Sequence, residues 1–202
     1  MVNRQFAQRL LDAAGWRARQ DAPIPDRCVV LGEPHTSNWD GWYSVLGMGA
    51  LGIDLRWMIK AEYNKALVGP MLQSLGAVFI ERGKGGAVQA SIDRFAADPG
   101  PLRLALAPSG TRKRTDHWRT GFLRIAREAH VPIVLAYIDY ARREVGFGPT
   151  LDPALPDAEL QQQMARFYAD KVACKPDASL LDLLVSNPIV LREVNLTEVQ
   201  PT

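Results

Sequence analysis

The chain has 202 residues, 47% of them hydrophobic and 23% charged, with a formal net charge of +2. That is enough apolar material for one core and too little length for a second independent domain. The near-balanced charge singles out no nucleic-acid partner. The only two cysteines, Cys28 and Cys174, lack the CxxC spacing of a zinc module and are too few for a disulfide framework, which fits a reducing, cytosolic setting.

Val2, Phe6, Leu10 and Ala13 recur at helical spacing, so residues 1–25 read as an N-terminal amphipathic helix, either docked on the core or lying on a lipid surface. The start lacks the apolar run of a signal peptide, and no stretch reaches the ~20 apolar residues that spanning a bilayer needs. Any membrane contact is therefore expected to be peripheral.

Residues 26–202 then alternate. RCVVLGEPH reads as a buried strand, WDGWYSVLGMGALG as a helix, LRWMI as a strand and AEYNKALVGPMLQSLG as a broken helical connection. AVFIER is the next strand, ending in the turn RGKGG. Val88, Ile92 and Phe95 mark a helix stopped by DPGP, and LRLALA is again a strand. A helix carrying Phe122, Ile125, Ala126 and Ala129 precedes the strands VPIVLAYI and EVGFG. PTLDPALPD reads as a linker to a helix with Leu160, Met164, Phe167 and Lys171. The pattern predicts a single α/β domain with a central, mostly parallel mixed sheet flanked by helices. No segment assigns an oligomeric state.

In open α/β sheets ligands gather at the carboxyl ends of strands, and HTSNWD, ERGKGG and PSGTRK each follow a strand directly. The first segment holds His35 and Asp40. Activating a hydroxyl for attack on a carbonyl needs a base, and a carboxylate on the far ring nitrogen fixes the tautomer and stabilises the imidazolium. On a continuous helix five residues rotate the side chains apart by about 140°. The pairing therefore requires a turn, with a helix beginning near Ser37 or Asn38 and Asp40 in its first turn. Capping is the alternative role for such an aspartate.

PHTSNWD resembles the H-x4-D signature of the glycerol-3-phosphate and lysophosphatidate acyltransferase family. GAVFIER is similar to that family's G-x-x-F-I-x-R, APSGTR to F-P-E-G-T-R and VPIVLA to V-P-I-V-P-V, in the family's order across residues 28 to 138. WMIKAEYNKALVGPMLQSLG resembles the stretch in which a lysine, here Lys60, precedes an apolar segment. The resemblance implies an acyltransferase-like domain that moves a fatty acyl group from acyl-CoA or acyl-carrier protein to a lysophospholipid or related hydroxyl. No metal and no bound cofactor is implied. His35 would be the base, Asp40 its orienting partner, and Lys60, Arg82 and Arg112 the contacts of the acceptor's phosphate. Ser109, Gly110 and Thr111 would complete the acceptor site, since a glycine-flanked turn lets backbone amides approach an anion and arginine matches phosphate bidentately.

Arg82 and Lys60 also fit solvated strand ends, and Trp39, Trp42 and Tyr43 fit either an acyl-chain channel or core packing. The basic run RKRTDHWRTGFLRIAR suits either an anionic inner membrane face with Trp118 at the interface or a solvated helix and loop. His117 is expected to be exposed and His130 to cap a helix. Ser109 replaces the motif glutamate with an uncharged group, which motivates a non-catalytic lipid-binding homologue as one alternative; a thioesterase using the dyad to activate water is another.

Overall fold

The computed structural model describes residues 2–66, 68–80, 86–115 and 117–186. Its sheet has seven strands: β1 (Arg17–Gln20), β2 (Arg27–Glu33), β3 (Arg56–Lys60), β4 (Ala77–Ile80), β5 (Leu102–Leu106), β6 (Ile133–Asp139) and β7 (Glu144–Leu151). Their order across the sheet is β1-β7-β6-β2-β5-β3-β4. Every neighbouring pair is parallel except β6 and β7. The expected α/β architecture with a mostly parallel mixed sheet is thus present.

The central strands read as continuous apolar runs because both sheet faces are covered. Val29, Leu31, Ile133 and Leu135 point into one core cluster, while Cys28, Val30 and Val134 point into another on the opposite face. The first cluster is filled by α4 (Gly86–Ala97), α5 (Gly121–Glu128), α6 (Asp157–Tyr168) and α7 (Leu181–Ser186). The other face carries α1 (Arg4–Ala13) and α2 (Asn38–Leu51), and α3 (Val68–Ser74) leads into β4. At that junction Gly76 has φ +97°, and a Cβ there would stand 2.3 Å from the Leu55 carbonyl oxygen, so the turn demands glycine.

Several expectations change. The N-terminal helix occupies Arg4–Ala13 rather than all of residues 1–25, because Arg17–Gln20 pairs with β7 as an edge strand. The helix is docked on protein: Ala7 and Leu11 are fully buried against Leu46 and Ala50, while Phe6 remains 57% exposed. Residues 149–151, expected in a linker, extend β7. Helix α6 stops at Tyr168, and Lys171 lies beyond it with its ammonium 5.1 Å from the ring centres of Tyr137 and Phe167.

Trp118 is also misplaced by the sequence reading. It is 1% exposed and packs edge-on to Tyr168 in the core rather than at the surface. The basic run around it is largely engaged within the fold. Arg124 pairs with Glu128 at 2.6 Å and Arg127 with Asp157 at 2.6 Å, and Arg114 pairs with Asp182.

Candidate active site

Strand β2 ends at Glu33, a cis Glu33–Pro34 peptide follows, and α2 begins at Asn38. Ser37 is the N-cap, with extended backbone, and its Oγ accepts from the Trp39 amide at 3.2 Å. Asp40 closes a capping box: Oδ2 accepts from the Thr36 and Ser37 amides at 2.6 and 2.7 Å. This cap supplies the turn that the five-residue spacing required. It brings His35 Nδ1 to 3.6 Å from Asp40 Oδ2.

That separation exceeds a hydrogen bond by a few tenths of an ångström and lies within ion-pair range. The two side chains differ sharply in exposure, 34% for His35 and 2% for Asp40. The histidine is therefore reachable from solvent while its carboxylate is held inside. The same Oδ2 atom that accepts the two cap amides stands 3.6 Å from the His35 Nδ1.

Two residues at this site escape motif reading. Tyr140, just past β6, donates from its hydroxyl to Asp40 Oδ1 at 2.7 Å. Burial and that bond both raise the Tyr140 pKa, so the phenol stays a donor. Its ring stands edge-on to Trp16, which in turn stacks on Tyr43 at 3.9 Å. The second is Glu33, whose Oε2 accepts from the His35 amide at 2.8 Å and whose Oε1 accepts from the Ser109 amide at 3.0 Å. Burial pushes its carboxyl up to about 7, against the opposing pull of the Ser109 and His35 contacts. The only sequence signal for either was a charged residue inside an apolar strand end, and a tyrosine following one.

The remaining predicted residues divide. Ser109 is buried at 4% exposure beside Glu33, close to the dyad. Gly110 adopts φ +63°, and a Cβ there would meet Arg119 Nε at 2.7 Å. Its amide, expected to face an anion, instead donates to the Ala107 carbonyl at 2.9 Å. Thr111 Oγ1 accepts from the Lys113 amide at 3.2 Å. Arg112 is exposed and reaches the Tyr63 hydroxyl at 3.4 Å, while Lys60, half-exposed, pairs with Glu62 at 3.1 Å. Arg82 lies outside the described residues.

Trp39 and Trp42 are 60% and 50% exposed, so neither is core. A polar cleft of about 260 Å³ between β1, β6 and β7, lined by Arg19, Tyr137, Asp139 and Arg142 among others, includes neither His35 nor Asp40. Among the described residues no group of His, Cys, Asp and Glu is arranged to hold a metal ion.

Comparison with curated proteins returns no match. Among solved structures the chain is similar to the crystal structure of the 1-acyl-sn-glycerophosphate (LPA) acyltransferase, PlsC, from Thermotoga maritima. The TM-score is 0.56 at 14% identity, covering 84% of this chain and 79% of that one. At such identity the likeness is one of fold. The family model described as Acyltransferase matches residues 18–139, a span that includes His35, Asp40, Ser109 and the strands that present them. Matched over more than half of its length, the chain belongs to the acyltransferase family.

Proposed function

We propose that the protein transfers a fatty acyl group from an acyl thioester, carried on CoA or acyl-carrier protein, to a hydroxyl of a lysophospholipid or related lipid. No metal or bound cofactor takes part. The observation that carries this reading is the His35–Asp40 pair, 3.6 Å apart on the Nδ1 side and locked by the cap of α2.

The acceptor hydroxyl loses its proton to His35 Nε2 as its oxygen attacks the thioester carbonyl carbon. Asp40 stabilises the imidazolium that forms. Collapse of the tetrahedral intermediate breaks the C–S bond, and the imidazolium returns the proton to the departing thiolate. No acyl-enzyme forms. Lys60, Arg82 and Arg112 contact the acceptor's phosphate, and the Ser109–Arg112 turn lies against its headgroup. Among the described residues no helix is long and apolar enough to cross a membrane. The exposed side chains of Phe6, Trp39 and Trp42 support peripheral action at the inner membrane face.

The test incubates purified protein with labelled palmitoyl-CoA or palmitoyl-carrier protein and a panel of lysophospholipids. Acceptor-dependent ester formation that disappears in His35→Ala supports the reading. Free fatty acid released without acceptor identifies a thioesterase, and lipid binding without turnover a non-catalytic homologue.

A further inference from the structure

Strands β2 and β5 are parallel neighbours, with Leu31 opposite Leu106. The loops leaving their carboxyl ends therefore start side by side, one carrying His35 and the other Ser109 to Arg112. Glu33 bridges them. Its two carboxylate oxygens take one backbone amide from each loop, His35 at 2.8 Å and Ser109 at 3.0 Å, and the residue is 2% exposed.

The identity of residue 109 gives this bridge its meaning. In the motif that APSGTR resembles, this position is a glutamate, and here it is a serine buried against the Glu33 carboxyl. Among the described residues its hydroxyl makes no hydrogen bond of ordinary geometry, although it lies near enough to hold the Glu33 pKa down. A second carboxylate at 109 would share one dry pocket with the first, and like charges there disfavour ionisation of both. Serine at 109 adds no further charge beside the buried carboxyl of Glu33.

We propose that Glu33 is a positioning residue for acyl transfer: the carboxylate missing from position 109 is supplied from the end of β2, where it holds the His35 loop and the 109–112 turn in register. The inference rests on the acyl-transfer reading of this site. The groups facing Glu33 are His35 from the loop into α2, Asp40 from the first turn of α2, Ser109 from the turn after β5, and Tyr168 from α6.

The experiment is a carboxylate swap, assayed with palmitoyl-CoA and lysophosphatidate. Glu33→Ala is expected to lower kcat roughly 10- to 100-fold, because a loop misplaced by an ångström loses that much. Glu33→Ala combined with Ser109→Glu is expected to recover most of the loss, whereas Ser109→Glu alone lowers activity. A double variant no better than Glu33→Ala, or full activity in Glu33→Ala, overturns the proposal.

Backbone amide resonances supply a readout independent of turnover. Those of His35 and Ser109 are expected to titrate together across neutral pH in the wild type and to lose that shared transition in Glu33→Gln, which keeps the volume of the side chain. Independent titration, or a transition that survives Glu33→Gln, also overturns it. Absence of turnover in the wild type while the shared titration is present would refute the acyl-transfer reading and leave the bridge standing.

Discussion

The Tyr140 hydroxyl donates to Asp40 Oδ1 at 2.7 Å, across 100 positions of sequence. Together with the two amides on Oδ2, this bond aims the carboxylate from both of its oxygens. Orientation by three donors leaves Oδ2 directed toward the imidazole without rotational freedom to lose on reaction.

Tyr140→Phe should leave the fold intact and lower kcat by about tenfold, since one of the three donors to Asp40 is lost while the dyad remains. Steady-state kinetics beside a urea unfolding curve separate the two effects. An unchanged kcat would assign the bond to stability alone.

Asp40→Asn should be more severe in both respects. Asparagine keeps one acceptor oxygen, so it holds the Thr36 and Ser37 amides only with its NH2 turned to the Tyr140 hydroxyl, and about 1 kcal/mol of stability is lost. Loss of the partner carboxylate lowers kcat by roughly 10² to 10⁴. Ser37→Ala gives the comparison, costing about 1 kcal/mol through its own cap bond with a far smaller effect on rate.

The buried carboxyl of Glu33 makes stability depend on pH. Its pKa in the fold is about 7, against an ordinary 4.5 when unfolded. Between these values the folded chain holds a proton that the unfolded chain releases, so stability falls as pH rises through this window. The difference amounts to about 3 kcal/mol, present in full below the unfolded pKa and lost above the folded one. Glu33→Gln cannot ionise, so its stability relative to wild type should improve between pH 5 and pH 8. Urea midpoints at the two pH values measure this, and a gap independent of pH would count against a buried, ionising Glu33.

Trp118→Ala should cost about 3 to 5 kcal/mol, the usual price of emptying a large buried aromatic site. Trp118→Phe should cost much less, because among the described residues the indole nitrogen has no hydrogen-bond partner to lose. Chemical denaturation of the two variants tests the burial directly. Equal, small effects would return Trp118 to the surface.

What the residues alone revealed was local. The apolar runs of β2, β5 and β6, the capping pattern around Ser37 and Asp40, and the four ordered motif blocks are all properties of short windows, and β2, β5, β6 and the start of α2 stand where those patterns put them. The edge strand β1 was hidden because RARQ has no apolar alternation; it is a strand through its ladder to β7, whose residues lie more than a hundred positions away.

The same reason governs the site. His35 and Asp40 were legible because the chain itself turns them together over a few residues. Glu33 and Tyr140 were not, because their roles exist only once β2 lies between β5 and β6, which brings Ser109 and Asp40 within hydrogen-bond reach. Sequence determined the approach of His35 to Asp40 and the order of the central elements. Only the tertiary structure decided what orients the dyad, because a buried carboxylate or hydroxyl takes its partners from whichever strand ends the fold sets beside it.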